Sequence, residues 1–454
     1  MTNQKDGREI VLDMLIELNK DDEFSHRVLG RTLRRYQDKP KQERAFISRL
    51  FTGTVKHYLT LDYCIEQFSS LPVRKMKPLI GNILRLSAYQ LIFMDNIPAS
   101  AVCNEAVKLA KKRGFKRLSG FVNANVRNIA RMGKDIKYPD KELETKVFLS
   151  IRYSTPKWLV NMLLDQYNTT QVEMMLEASL KEKEITIRCN RMKTTPDELK
   201  EILYGEGVRV IDHPYLEEAF IIKDFDYLES LRSFTNGLFA IQDVSSMLVG
   251  KVANVCDKDF VVDVCAAPGG KTLHLAERAG RVSARDITEY KVKLIKDNIL
   301  RLGAGNVETK VWDARVKEPG LLNKADIVIA DLPCSGLGVL GKKSDIKYRL
   351  TQEQLKDLVE LQREILDVVS AYVKPGGILI YSTCTINRHE NIDNMEWFLD
   401  KYDFVAEGLD DYLPEALQGD TTKAGYLQLL QGIHPTDGFF ICRMRKGKKV
   451  EAWT

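Results

Sequence analysis

The sequence predicts a multidomain protein: an all-α domain over residues 1–140, a small α+β subdomain over 145–236, and an α/β domain built on a parallel sheet over 237–448. Three observations carry this reading. The 454 residues exceed the usual reach of one hydrophobic core. Apolar residues in the first 140 positions repeat with helical spacing, without strand-like alternation. From about Gly237, short, nearly continuous apolar runs alternate with helical patterns, as in a sheet covered on both faces.

The helical domain shows its spacing at Val11, Leu15 and Leu18, at Phe46, Leu50 and Thr54, and at Leu79, Ile83 and Leu86. The stretch KKRGFKRLSGFVNANVRNI from Lys111 reads as a helix end, a basic turn around Gly114 and Gly120, and a new amphipathic helix carrying Val122, Val126 and Ile129. Residues 1–140 hold 26 Lys and Arg against 15 Asp and Glu, a net +11, so the rest of a chain of net charge +5 carries −6. That basic end is a candidate for an anionic partner such as nucleic acid, the alternative being a solvated basic face. MGKDIKYPDKELE, with Gly133 and Pro139, loses the apolar period and places a boundary near 135–145.

Next come a helical stretch from Pro156 to Leu180, a strand ITIRCN ending at Asn190, a helix capped by Thr195, and two more strands, VRVIDH and AFIIKD. The α/β domain follows with strands FVVDVCA, RVSARDI, VETKVWD, ADIVIADLP and GGILIYSTCT, a long helix from about Gln352 to Val373, and a last strand DGFFICRMR. Composition, 44% hydrophobic and 29% charged, is that of an ordinary globular chain. Without an uncharged apolar run of about 18 residues, and with charges preceding any apolar run in MTNQKDGREIVLDML, the expectation is a cytoplasmic protein with no membrane span or secretion signal. The eight cysteines lack metal-type spacing; Cys189, Cys256 and Cys265 are expected as buried packing residues. His274, His389 and His434 are too dispersed to suggest a metal, and none is expected.

DVCAAPGGKT, Asp263 to Thr272, sits between the first strand and first helix of the sheet, where open α/β folds place a ligand. Gly269 and Gly270 allow close backbone approach, yet the loop matches neither GxxxxGK[ST] nor GxGxxG. A cofactor with cationic groups and no phosphate, S-adenosylmethionine, suits the acids at successive strand ends: Asp263, Asp286 placed to hold a ribose, and Asp313 towards the adenine side. The alternative is that these acids only cap the following helices. Arg285 is expected to face sideways or towards RNA.

Asp331, Pro333 and Cys334 lie just past the fourth strand and Cys384 ends the fifth, so a parallel sheet would gather two thiols and a carboxylate on one edge. Such a set fits methylation of carbon 5 of cytosine, where a thiolate adds to carbon 6 to activate a poor nucleophile, a second group removes the carbon 5 proton, and a carboxylate, here Asp331, holds the ring nitrogen. Either cysteine alone would more often be inert packing.

DVCAAPGGKT, DLPCSGLGVL followed by SDIKYR, YSTCT followed by HEN, and the final DGFF resemble the RNA cytosine-5 methyltransferases, and within them the bacterial branch acting on 16S ribosomal RNA, over roughly residues 237–446. Residues 1–140 resemble the NusB-type helical RNA-binding domain, and RCNRMKTTPDEL the small RNA-binding subdomain of that branch. The resemblance implies a Rossmann-like class I methyltransferase domain, S-adenosylmethionine as methyl donor without a metal, and 16S rRNA or a small-subunit assembly intermediate as partner, with no obligate protein partner. It implies Cys384 as nucleophile and Cys334 as the residue assisting release. It implies a cofactor site of Cys265, Ala266, Ala267, Pro268, Gly269, Gly270, Lys271, Asp286, Asp313 and Asp331, with Asp331 also facing the base and Lys271 supporting nearby carboxylates. The chain departs from the family at GKKSDIKYR, Gly341 to Arg349, where an RNA-facing loop is expected to be tuned differently. Rival readings are a tRNA or other RNA acceptor, and a non-catalytic RNA-binding factor.

Overall fold

A computed structural model describes residues 5–18 and 23–448. They divide into two compact units: one running to Lys181 and including Leu340–Arg349, the other Glu182–Val339 with the chain from Leu350.

The first unit is helical, with α1 (Gly7–Leu18), α2 (Ser25–Arg35), α3 (Lys41–Lys56), α4 (Tyr58–Glu66), α5 (Pro78–Phe93), α6 (Ala99–Lys112), α7 (Ser119–Met132), α8 (Thr145–Arg152), α9 (Lys157–Gln166) and α10 (Thr169–Leu180). The positions singled out by spacing form its core: Val11, Leu15, Leu50, Ile83, Val126 and Ile129 are fully buried. Gly114, at φ +86°, turns the chain after α6, a conformation that costs glycine nothing. Gly120, expected in that turn, lies inside α7. The stretch 156–180 is two helices, because Asn168 starts α10 with a reciprocal cap to Gln171.

The first compact unit continues past the boundary expected at 135–145, as far as Lys181. Helix α8 packs on α4, where the Thr60 hydroxyl donates to Ile151 O at 2.6 Å and Leu59 N to Ser154 Oγ at 2.9 Å. These bonds attach α8–α10 to the preceding helices.

The segment 341–349 is largely buried within its own unit, with Lys342 and Lys343 exposed. Asp345 accepts from Ser25 N at 2.8 Å and from its hydroxyl at 2.6 Å, and Arg349 Nη2 donates to Glu23 O at 2.6 Å. Lys347 is buried, its ammonium donating to Lys56 O at 3.2 Å and Tyr153 O at 3.3 Å. The polar residues of the segment are consumed by helix ends and loop carbonyls of its own unit, which sequence spacing cannot reveal.

The second unit contains two sheets. In the smaller, β1 (Ile185–Cys189), β2 (Arg209–Asp212), β3 (Ala219–Lys223) and β4 (Phe239–Ile241) pair antiparallel in the order β2-β3-β1-β4. Thr195 caps the helix Pro196–Gly205 with Glu198 reciprocating, as the sequence predicts. The larger sheet has β5 (Phe260–Asp263), β6 (Arg281–Asp286), β7 (Val307–Val311), β8 (Ala325–Asp331), β9 (Val373–Thr383), β10 (Phe404–Ala406), β11 (Tyr426–Leu429) and β12 (Phe439–Lys446). Its order is β10-β12-β9-β8-β5-β6-β7, with β11 beside β12. Strands β5 to β9 run parallel, and β12 returns antiparallel to β9. The long helix ends at Val369 because Val373 already belongs to β9.

Two sequence expectations fail here. Arg285 is buried, paired with Glu318 and 3.3 Å from Ser283 Oγ, so it faces neither solvent nor RNA. Cys256, expected in the core, is exposed in the turn before β5. No helix among the described residues is long and apolar enough to cross a membrane.

Burial lowers Lys347 from its ordinary 10.5 to about 7. Between those values the unfolded chain holds a proton the folded chain lacks, so stability rises with pH across the window and the penalty is complete below it. Lys347→Met is expected to flatten that rise and to raise stability below pH 7, read from urea midpoints on both sides of the window.

Candidate active site

The central strand of the parallel sheet is β5; β6 and β7 lie on one side of it and β8 and β9 on the other, so the crevice at the switch point opens beyond Asp263 and Asp331. The loop leaving β5 is tied down by its own backbone: Ala266 N donates to Arg285 O at 2.8 Å and Gly269 N to Ala266 O at 2.7 Å. Gly269, at φ +103°, opens the helix Gly270–Ala276. A cavity of about 200 Å³ lies against this loop, lined by Cys265, Ala266, Ala267, Pro268, Gly270 and Lys271, with Asp263 and Asp331 at the strand ends.

Asp263 Oδ2 accepts from the Thr272 hydroxyl at 2.6 Å, while Oδ1 is buried without a hydrogen-bond partner. Burial raises this carboxyl to about 7 against the opposing pull of Thr272. Burial likewise pushes the Cys265 thiol up.

The other two acids have protein partners of their own. Asp286 is buried at the end of β6, accepting from Ala267 N at 3.0 Å and Ile287 N at 2.8 Å and pairing with Lys291 at 2.9 Å. It braces the loop and does not line the cavity. Asp313 stands two residues beyond β7, gripped by Arg315 at 2.7 Å, whose hydrogen bonds hold its carboxyl below the usual range. It does not line the cavity either. Nor do Asp263 and Asp286 cap the helices that follow them: Gly269 and Thr288 hold the cap positions after β5 and β6.

Sequence reasoning missed the opposite wall. Ile241, Gln242, Asp243 and Ser246, from β4 and the following helix Val244–Ala253, complete the cavity. Their only local signal is QDVSS, which reads as an ordinary cap; Asp243 does accept from Ser245 N at 3.1 Å.

Strands β8 and β9 pair parallel with Asp331 opposite Ser382. Both strands therefore end together, and the Sγ atoms of Cys334 and Cys384 come within 3.3 Å. Contact with Cys384, and then burial, pushes the Cys334 thiol well up. Asp331 accepts from Ser382 Oγ at 2.8 Å and from Lys271 Nζ at 2.7 Å, and that ammonium also lies 5.1 Å from the Phe439 ring.

The loop after Pro333 is held by Glu390, which is fully buried. Glu390 accepts from Ser335 N at 2.8 Å, Ser335 Oγ at 2.6 Å, Gln362 Nε2 at 3.1 Å and Asn387 Nδ2 at 3.0 Å. Asn391, next in the HEN motif, accepts from Thr383 Oγ1 at 2.5 Å and donates to Thr385 O at 3.1 Å, bracketing Cys384. Gly338 N donates to Cys384 O at 3.1 Å and Gly438 N to Gly338 O at 2.9 Å. A Cβ on Gly338 would sit 1.9 Å from Gly438 O, so this crossing of two backbones requires glycine. The GG, SGLG, HEN and DGFF motifs thus converge on one sheet edge. Among the described residues, no cluster of three or more His, Cys, Asp or Glu is placed to hold a metal.

Fold and site together define a Rossmann-like α/β methyltransferase domain. Family models agree along the chain: "16S rRNA methyltransferase RsmB/F" matches residues 251–445, "NusB family" residues 5–131, and the RsmF/B-like ferredoxin-like domain residues 155–226. The chain is 36% identical to the probable ribosomal RNA small subunit methyltransferase B of Bacillus subtilis (strain 168) over 97% of its own length and 98% of that protein's. It is 32% identical to the probable counterpart of Synechocystis sp. over 97% and 99%. The crystal structure of PH0851 shares the fold over 98% of this chain and 100% of that one, with TM-score 0.80 at 24% identity. A methyltransferase homolog from Pyrococcus horikoshii, 27% identical, matches 66% of this chain and 99% of its own with TM-score 0.56. The chain belongs to the 16S rRNA methyltransferase RsmB/F family.

Glu390→Ala leaves the Ser335 amide and hydroxyl without their buried acceptor. It is expected to cost about 3 kcal/mol in denaturant unfolding, on the scale of a broken buried charge network. Glu390→Gln, keeping an acceptor oxygen, is expected to cost less than half of that.

Proposed function

We propose that the chain methylates carbon 5 of a cytosine in 16S rRNA, using S-adenosylmethionine held against the 265–271 loop and a covalent bond from Cys384 to carbon 6 of the base. The observation that supports this most is the pair of thiols 3.3 Å apart on strands whose ends also carry Asp331.

The cavity suits the methyl donor. Its wall offers a buried carboxylate oxygen without a partner, Asp263 Oδ1, and a second carboxylate, Asp331, with no phosphate cradle, so a cationic ligand is favoured. Bound there, S-adenosylmethionine supplies an electrophilic methyl group. Asp286 fixes the loop through Ala267 N, and Lys271 orients Asp331.

The chain's own residues carry the rest. The Cys384 thiolate would add to carbon 6, moving the ring electrons to carbon 5, which would take the methyl carbon as its bond to the sulfonium breaks and the sulfur keeps the pair as a neutral thioether. Asp331, in its protonated form, donates a hydrogen bond to the ring nitrogen as negative charge develops there. Loss of the carbon 5 proton to a base then restores the double bond and expels Cys384 as thiolate. Cys334, with its Sγ 3.3 Å from that of Cys384, is within reach to assist this release. The target base must be unstacked to reach the strand ends. The NusB-family helices, with the net positive charge of residues 1–140, supply an electrostatic surface for RNA.

Incubation with labelled S-adenosylmethionine and 16S rRNA lacking its own 5-methylcytosine tests the assignment. Cys384→Ala is expected to give neither product nor a denaturant-resistant protein–RNA adduct, and Cys334→Ala to accumulate the adduct. Methylation by Cys384→Ala would transfer the nucleophile's role to Cys334, and labelling of tRNA alone would change the acceptor.

Asp263, raised to about 7, also sets a pH dependence. Below that value its carboxyl is protonated and loses its attraction for a cation. Affinity for S-adenosylmethionine is expected to fall as pH drops from 8 to 6, by up to about tenfold per pH unit below 7. 5′-Deoxy-5′-methylthioadenosine, which carries neither sulfonium nor ammonium, should respond less, and equal responses in calorimetry would remove Asp263 from this role.

A further inference from the structure

Arg188, in β1 of the small sheet, is the bulkiest fully buried side chain of the described residues. It pairs with Glu277, just past the helix Gly270–Ala276, and its Nε donates to Gln242 Oε1 at 2.8 Å. Around them sit Glu218, paired with Lys251 at 2.7 Å, and His274, kept neutral by burial. A buried ion pair is weak evidence of stabilisation, because apolar residues of equal volume avoid the desolvation penalty. What Arg188 adds that they would not is direction.

A guanidinium has donors and no acceptor. The carboxamide of Gln242 must therefore give its oxygen to Arg188 and turn Nε2 the other way. That nitrogen donates to Ser246 Oγ at 3.2 Å, keeps a second hydrogen, and lies 3.9 Å from where a Cβ on Gly270 would stand. Gln242, Ser246 and Gly270 all line the cavity beside the 265–271 loop. Lys271, the cation lining the cavity, is committed to Asp331, so the cavity's acids can receive the cationic part of a ligand while its carboxylate still needs a donor.

We propose that Arg188 is a positioning residue for the methyl-donor pocket, locking the Gln242 amide so that Nε2 offers a hydrogen bond to the carboxylate of the bound S-adenosylmethionine. This rests on the cofactor reading above, and it extends the pocket's specificity into the small subdomain that contributes β1 and β4.

The test is calorimetric binding to the full-length protein, with thermal unfolding alongside. Arg188→Met combined with Glu277→Leu removes both charges together, so no unpaired ion is left to unfold the protein. The expected result is a melting temperature at or above wild type, S-adenosylmethionine bound about tenfold more weakly, and unchanged affinity for 5′-deoxy-5′-methylthioadenosine, which lacks the carboxylate. Gln242→Met should show the same selective loss, with no further loss when combined with the double variant. Wild-type affinity for S-adenosylmethionine in the double variant, or equal weakening of both ligands, would overturn the proposal. Wild-type protein that binds methylthioadenosine and S-adenosylmethionine equally would overturn it as well, and failure to bind either would overturn the cofactor reading itself.

Discussion

Parallel pairing of β8 with β9, Asp331 opposite Ser382, is the constraint from which the rest of the site follows. A strand's side chains alternate between faces, so a one-residue slip would send Ser382 away from Asp331 and part the two thiols. The register is held from both sides. On one, Gly377 passes so close to Asp326 O that a Cβ would lie 2.8 Å away; on the other, β12 pairs antiparallel with Ile378 to Thr383. The antiparallel return of β12 also brings Phe439 to Lys271 and Gly438 to Gly338, so the same element that covers the sheet edge closes the site.

Chemistry and support are divided among different residues. Asp263 and Asp331 line the cavity and the two thiols meet past the ends of β8 and β9, whereas Asp286, Glu390 and Asn391 are buried and spend their hydrogen bonds on backbone groups and loop side chains. Rigid loops of this kind keep reactive groups in place without reorganisation when charge develops. The price is a set of buried charges that tolerate substitution poorly.

The domain order and most elements were legible in the sequence because their signals are local. Helical period marked α1, α3, α5 and α7, apolar runs marked β5 to β9, and strand-end position alone brought Cys334 and Cys384 into one neighbourhood. What was not legible depends on partners distant in the chain. Gln242 and Ser246 gain meaning only when β4 joins the small sheet beside the cofactor loop. Arg285 disappears into a pair with Glu318, and Asp345 and Lys347 into contacts with α2, α3 and the α8–α9 turn, because those partners lie 33 or more residues away. Asp286 ends β6 as read and Asp313 stands two residues past β7, but a carboxylate's position along the chain does not say which backbone amide or side chain it will meet.

The central claim is that this sheet edge directs a methyl group to carbon 5 of a 16S rRNA cytosine. The most direct measurement is mass spectrometry of nucleosides from unmodified 16S rRNA, or small-subunit particles containing it, after incubation with the protein and S-adenosylmethionine. The account requires 5-methylcytidine at a single site; methyl on the exocyclic nitrogen of cytidine, or on another base, would contradict it.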